Sequence, residues 1–190
     1  KIGQEFINLF SAGLIMRRLV LMALVLNACT ITGLSIAEVI PEETGSVEAF
    51  MCSEVNCYAF FHDFINSSKT VHCALYNADE GIESLNTTHK TIVIKSKNKK
   101  GLMHNKFCIA GDVVVTGSFN PLKKQSYDNI IIVNSSIISG NYEKEFIEIA
   151  NNRENEKTKN TKVKVNGIMI ENYFCHEDNC KDEIVEALGR

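Results

Sequence analysis

Two apolar runs around a Gly-Asp pair constrain the fold of this 190-residue chain more than any other feature. Phe107–Ala110 and Val113–Thr116 flank Gly111-Asp112, and turn-forming residues between two such runs predict a β-hairpin. A polar segment stands at each outer end: His104-Asn-Lys106 precedes the hairpin, and Gly117-Ser-Phe-Asn120 follows it. Because paired strands bring these ends together, we expect their side chains to converge at one edge of a sheet.

Apolar runs of strand length alternate along the chain with stretches of helical periodicity. Strands are expected at Val47–Met51, Thr70–Tyr76, Thr91–Lys95, Asn129–Val133 and Lys162–Ile170, and helices at Cys52–Asn66, Asp79–Leu85 and Ile138–Ala150. This order predicts an α/β layered fold.

The residue types at the ends of the hairpin suit a phosphate group. Lys106 supplies a positive point charge, and Ser118 and Asn120 supply neutral donors, so charge that develops on a phosphoryl group is stabilised without a metal. Histidine can be a neutral nucleophile near neutral pH and a cation a moment later, which makes His104 the candidate nucleophile. The set predicts in-line phosphoryl transfer through a covalent phosphohistidine.

Two segments, Met103-His-Asn-Lys-Phe107 and Thr116-Gly-Ser-Phe-Asn120, resemble the His-x-Lys motif of the phospholipase D superfamily. The resemblance is greatest to small members with one motif per chain, such as the bacterial endonuclease of that family and the mitochondrial enzyme linked to piRNA. It extends over Val47–Ala150. Within that range Asp128-Asn129, and Tyr142 with Glu145-Phe146, also fit the family pattern.

The resemblance implies a fold, a mechanism and an assembly. The expected fold is the phospholipase D-like layered sandwich, a mixed β-sheet flanked by helices, here shortened. In that family two motifs face each other across one site, so His104 would be the nucleophile in one subunit and the general acid in its mate. Lys106 and Asn120 would bind phosphate and Ser118 would assist. No cofactor and no metal are implied.

Two departures from the family pattern bear on this expectation. Gly111 stands where the family usually has an aspartate, and Asp112 follows it, so we expect a hairpin tightened by one residue in which Asp112 takes the supporting catalytic role. The stretch Asn77–Met103 is much shorter than its equivalent in the small nucleases, so a helix and a strand are expected to be missing.

The charge of the chain limits how it could meet a polyanion. A formal net charge of -3 argues against a protein that coats nucleic acid through its overall charge. However, the lysines between Lys90 and Lys100 lead into the motif with no acidic residue among them. Lys99 and Lys100, together with Gly117, are therefore the candidate substrate-binding residues.

The N-terminal segment, residues 1–37, predicts targeting or anchoring. Met16-Arg-Arg precedes an apolar run, and small residues follow up to Ala37, which is the order of a secretory signal. The run is short for a membrane span of about 20 residues, so a cleaved signal peptide, an N-terminal membrane anchor, a buried helix and a lipoprotein signal ending at Cys29 all stay open. Residues 1–15 are an annotation extension if Met16 is the start. We expect an exported or membrane-anchored, extracytoplasmic protein.

The sequence contains seven cysteines. In an exported protein, closely spaced cysteines favour disulfides, with buried thiols and a zinc site as the alternatives. The candidates form two pairs of equal spacing: Cys52 with Cys57, and Cys175 with Cys180. Cys29, Cys73 and Cys108 lie in apolar surroundings and are interpreted as core or signal residues.

The chain divides into segments of different character. Residues 38–150 form the expected phospholipase D-like domain, and the polar residues 151–161 form a linker. Beyond it, Phe174–Cys180 resembles the segment Phe50–Cys57, and both lead into amphipathic stretches. We therefore expect residues 162–190 to be the start of a truncated second repeat.

These observations predict a metal-independent phosphodiesterase and, within that class, an endonuclease acting on DNA or RNA. One motif cannot supply both the nucleophile and the acid, so the expected assembly is a homodimer or a complex with a partner that supplies the second motif. Two alternatives stay open: a phospholipase D-type enzyme that hydrolyses lipid at a membrane, and a non-catalytic phosphate-binding module.

Overall fold

The computed structural model describes residues 39–94, 97–98, 101–124, 127–153, 156–175 and 177–189. The predicted signal or anchor at residues 1–37 lies outside these ranges, as do Lys99 and Lys100. Residues Ile40–Arg190 form one unit by their mutual contacts. Within the described ranges, no helix is long and apolar enough to span a membrane.

Short strands and helices alternate through this unit. The strands are β1 (Glu42–Glu43), β2 (Ser46–Met51), β3 (Val71–Leu75), β4 (Lys90–Ile94), β5 (Lys97–Asn98), β6 (Gly101–Leu102), β7 (Lys106–Ala110), β8 (Val113–Gly117), β9 (Asn129–Asn134), β10 (Lys162–Val165) and β11 (Ile168–Glu171). The helices are α1 (Cys57–Ser67), α2 (Glu80–Glu83), α3 (Ser136–Ala150) and α4 (Cys180–Leu188).

The central sheet has six strands in the order β2-β9-β8-β7-β3-β4. Its neighbouring strands are antiparallel except for β3 and β4, which run parallel. A smaller sheet has the order β1-β10-β11, and β5 pairs with β6. The predicted α/β fold with a mixed sheet is confirmed.

Both faces of the central sheet are covered, because successive side chains of a strand point to opposite sides. One face packs against α1 and α2, through buried residues that include Phe61, Ile65, Leu75, Ile82 and Val115. The other face packs against α3 and the smaller sheet, through buried residues that include Phe107, Val114, Ile138, Phe146 and Val163. The sheet is therefore the middle layer of the expected sandwich.

The helix expected at Cys52–Asn66 begins later, at Cys57. The side chain of Asn56 accepts a hydrogen bond from the backbone N–H of Ala59 at 3.0 Å, which is a standard N-cap contact. The residues from Cys52 to Asn56 instead form a short loop. Helical spacing of apolar residues did not reveal this cap, so that part of the prediction was wrong.

The strand expected at Lys162–Ile170 is instead a hairpin formed by β10 and β11. Asn166 and Gly167 make the turn, with φ angles of 48° and 79°. An Asn-Gly pair at positive φ is the preferred two-residue turn between antiparallel strands. The sequence carried this signal, and the prediction of one continuous strand was wrong.

Three disulfides occur in the described part of the chain. Two join the candidate pairs, Cys52 to Cys57 and Cys175 to Cys180. The third joins Cys73 to Cys108, which face each other across β3 and β7. Cys73 and Cys108 are buried, as the sequence predicted, but their disulfide bond was not predicted. The spacing of the cysteines along the chain does not show that β3 pairs with β7.

The C-terminal residues pack into the same core as the rest of the unit. Val163 and Val165 of β10 are fully buried, and Glu43 of β1 accepts hydrogen bonds from Ser136 and Ile137 at the start of α3. The two disulfide loops are alike, since in each the cysteines are five positions apart and α1 or α4 begins at the second cysteine. A second repeat that starts at residue 162 stays a prediction.

The burial of Val163 predicts that β10 unfolds together with the central sheet. Val163→Ala should lower the free energy of unfolding by about 2 kcal/mol, because it removes buried methyl groups next to α3. Ile168→Ala, on the exposed side of β11, is the control and should change it by less than about 0.5 kcal/mol. Urea unfolding followed by circular dichroism checks this. A separate transition for the C-terminal segment would contradict the prediction.

Candidate functional site

The β7–β8 hairpin brings the two halves of the motif to one end of the central sheet. Phe107 of β7 pairs with Thr116 of β8, so the residues just before β7 lie beside those just after β8. His104 and Lys106 come from the first group, and Ser118 and Asn120 come from the second. The predicted convergence at one sheet edge follows from this register.

His104 is exposed and is placed by the end of β3. Its ring lies over the ring of Tyr76, with centroids 4.3 Å apart. The N–H of Tyr76 donates to the carbonyl of Asn105 at 2.7 Å, so the backbone that carries the imidazole is tied to the neighbouring strand. The motif did not identify Tyr76, and its position at the end of a predicted strand was the available signal.

The ammonium of Lys106 lies against the imidazole of His104. Its Nζ is 3.2 Å from Nδ1, 3.4 Å from Nε2 and 3.1 Å from the backbone oxygen of His104. Burial lowers the pKa of Lys106, and the negative charge of Asp128 partly opposes this shift. A partly desolvated cation in contact with the candidate nucleophile is well placed to bind an anion.

Ser118 is held by the start of β9. Its Oγ donates to Asp128 Oδ1 at 2.9 Å and accepts from the N–H of Asn129 at 3.1 Å. Oδ1 of Asn120 is buried and has no hydrogen-bond partner among the described residues. An unpaired buried polar atom costs about 1–3 kcal/mol, so the site holds one unsatisfied group beside the motif.

Gly117 has a structural reason to be glycine. Its φ is 140°, and a Cβ at this position would lie 2.3 Å from the backbone oxygen of Asn129. The close approach of β8 to β9 depends on this position, because an L-residue would have to move the strands apart. The structure places Gly117 at the sheet edge, while its predicted contact with substrate stays a prediction.

Asp112 does not lie with the other candidates. It occupies the turn of the hairpin, at the opposite end of β7 and β8 from His104, and its carbonyl accepts from the N–H of Ser135 at 2.8 Å. The expected supporting catalytic role of Asp112 is therefore corrected to a structural one, in which it joins the hairpin to the start of α3. The five-residue strands separate the turn from the site.

A buried carboxyl lies behind the motif. Asn105 Nδ2 donates to Glu145 Oε1 of α3 at 2.9 Å, and Glu145 is 6% exposed. Burial raises the pKa of Glu145 to about 7, the Asn105 hydrogen bond lowers it, and the nearby acids Glu148, Glu177 and Asp178 raise it. The sequence pattern included Glu145 but suggested no contact with the motif loop.

Solved structures with a related backbone arrangement include two bacterial proteins. The crystal structure of Nuc from Salmonella typhimurium, a phospholipase D family member, matches 57% of this chain and 95% of its own, with 17% identity and a TM-score of 0.47. NucT from Helicobacter pylori matches 57% of this chain and 97% of its own, with 15% identity and a TM-score of 0.46.

No protein-family model matches the chain, and no curated protein matches it. The candidate site is therefore defined by its own geometry and by the resemblance of its motif.

The raised pKa of Glu145 predicts a pH dependence of stability. An unfolded Glu145 ionises near 4.5, whereas the folded one keeps its proton up to about 7. Because the folded state binds more protons in this window, stability falls as the pH rises through it, by up to about 3 kcal/mol from this group. Glu145→Gln keeps the acceptor for Asn105 and should remove this loss.

Urea unfolding at pH 5 and pH 8 measures the effect. The Glu145→Gln variant should gain stability relative to the wild type at pH 8, while the exposed Glu83→Gln control should follow the wild type at both values. An equal change for the two variants would contradict the assignment.

Proposed function

We propose that this protein is a metal-independent phosphodiesterase of the phospholipase D superfamily, that it acts through a covalent phosphohistidine, and that its substrate is nucleic acid. One observation carries the proposal: the exposed ring of His104 lies 3.2 Å from the ammonium of Lys106, at the sheet edge that also carries Ser118 and Asn120. An accessible nucleophile in contact with a cation suits attack on an anionic phosphodiester.

The chemistry proceeds in two displacements. A ring nitrogen of His104 attacks phosphorus, and the bond from phosphorus to the leaving oxygen breaks as that oxygen takes a proton from a second imidazole. The second imidazole then removes a proton from water, the water oxygen attacks phosphorus, and the phosphorus–nitrogen bond breaks. His104 is thereby regenerated.

The other site residues bind the non-bridging oxygens. Lys106 moves its ammonium from the imidazole to the phosphoryl group, where it neutralises charge in the transition state. Ser118 is oriented by Asp128 and Asn129. The amide of Asn120, whose Oδ1 has no partner among the described residues, can rotate to present its NH2 group to a phosphate oxygen.

The second imidazole comes from a second copy of the chain. The sequence contains a single His-x-Lys pair, and one histidine cannot attack phosphorus and protonate the leaving oxygen on the opposite side. Exposure of His104 leaves room for a facing motif. A homodimer with one site at its interface is the simplest assembly that meets this requirement.

An oxidising location is consistent with the cysteines. The bonds Cys52–Cys57, Cys73–Cys108 and Cys175–Cys180 are typical of exported proteins. Within residues 1–37, two arginines precede an apolar run, and this order supports a secretory signal or a membrane anchor. We place the activity outside the cytoplasm.

His104→Ala tests the proposed function. Hydrolysis of bis(p-nitrophenyl) phosphate should fall by about 10³-fold or more, because no other group supplies the nucleophile. His89→Ala, at an exposed position, is the matched control and should keep wild-type activity. EDTA should leave the rates of the wild type and of His89→Ala unchanged. Activity that survives the His104 substitution would reject the mechanism.

The shared site predicts a specific result when subunits are mixed. If wild-type and His104→Ala chains are unfolded and refolded together, activity should follow the square of the wild-type fraction, because both motifs of a dimer must be intact. The rate on bis(p-nitrophenyl) phosphate is measured at several mixing ratios, with native mass as a check of assembly. A linear dependence would mean that each chain acts alone.

A further inference from the structure

An open pocket of about 330 Å³ lies beside the motif and is not used by the proposed chemistry. We name it the lysine pocket. Its walls come from the Cys52–Cys57 disulfide loop, the start of α1, and the chain that follows the motif. Its lining includes Glu54, Asn56, Tyr58, Phe119, Lys123 and Lys124.

The lysine pocket and the candidate active site are connected through neighbouring residues of the chain and through one backbone hydrogen bond. Phe119, which lines the pocket, stands between Ser118 and Asn120 in the chain. The N–H of Cys52 donates to the backbone oxygen of Asp128 at 2.8 Å, and the side chain of that same Asp128 accepts from Ser118 at 2.9 Å. A group bound in the pocket would therefore lie next to the phosphoryl site.

Positive charge in the pocket is available to a ligand. Lys123 and Lys124 are exposed, and neither has an ion-pair partner within 4.0 Å among the described residues. Lys123 Nζ lies 5.9 Å from the centre of the Tyr58 ring, whose hydroxyl donates to Asp79 Oδ1 at 3.1 Å. The hydrogen bond fixes the ring, and the ring supports the ammonium above it. Glu54 is the opposing charge on the wall.

We infer that the lysine pocket binds a second phosphate of the substrate, within a few nucleotides of the one that is cleaved, and that the substrate is therefore a polynucleotide. This inference rests on the proposed function, since it assigns another phosphate of the same bound strand. A phospholipid with one phosphodiester has no second phosphate to place there.

The spacing along the chain agrees with this assignment. Three residues span at most about 10 Å, so Lys123 lies within that distance of Asn120. A nucleic-acid strand carries a phosphate about every 3.4 Å of duplex axis, so it covers this separation within a few nucleotides. Lysine contacts to phosphate depend on charge and not on base sequence, which predicts low sequence preference at this position.

The double variant Lys123→Ala/Lys124→Ala tests the inference. Fluorescence anisotropy with a labelled single-stranded oligonucleotide should show binding to the full-length protein weakened by about tenfold, with the slope of log K against log salt reduced by about 1.4. Turnover of bis(p-nitrophenyl) phosphate, which has no second phosphate, should be unchanged. Lys157→Ala/Lys159→Ala, two exposed lysines in the polar segment after α3, is the matched control and should bind as the wild type does.

Glu54→Gln provides the opposite test, because removal of the opposing charge should tighten oligonucleotide binding by a few fold. Equal weakening of oligonucleotide binding by Lys123→Ala/Lys124→Ala and by the control double variant would overturn the second-phosphate site. So would a tenfold loss, in Lys123→Ala/Lys124→Ala, of hydrolysis of bis(p-nitrophenyl) phosphate or of phosphatidylcholine in vesicles. Binding is measured with all variants carried in the His104→Ala background, which prevents cleavage of the oligonucleotide. Failure of the lysine pocket is therefore distinguishable from failure of the proposed function, which appears instead as His104-independent hydrolysis.

Discussion

The pairing of β7 with β8 is the interaction on which the rest of the site depends. It joins residues from both halves of the motif at one end of the sheet, and its register decides which side chains meet there. The neighbouring strands complete the arrangement, because Tyr76 directly follows β3 and Asp128 directly precedes β9. Gly117 permits the close contact between β8 and β9, because a Cβ at this position would collide with the backbone of Asn129.

The site combines a rigid base with one polar atom that the described residues leave unsatisfied and with a partly buried cation. Central strands, a buried disulfide between Cys73 and Cys108, and α3 hold the backbone, whereas Asn120 keeps an unpaired atom and Lys106 is partly desolvated. Each of these features is unfavourable by itself, and the phosphate binding proposed above would offset its cost.

Local patterns predicted the central strands and the motif, while contacts between distant segments escaped them. The hairpin and its polar ends could be predicted because Gly111-Asp112 and the flanking apolar runs are adjacent in sequence. The Cys73–Cys108 bond and the Asn105–Glu145 contact could not, since each depends on which elements become neighbours. Asp112 was misplaced for a different reason: its spacing from the motif suggested a role, but strand geometry carries the turn away from the site. The late start of α1 and the β10–β11 turn reflect cap and turn chemistry that competes with apolar periodicity.

The proposed mechanism, with one motif in each chain, requires an exposed His104. A chain with two motifs could enclose its site, but His104 must stay open if a second imidazole is to approach phosphorus from the opposite side. The elements that support the motif therefore have to lie away from its open side. In the structure α3 with Glu145 covers one face of the sheet, and α1 with its disulfide loop covers the other. The open edge between these layers is the part of the unit where a phosphodiester strand and a facing copy of the motif could both reach the same imidazole.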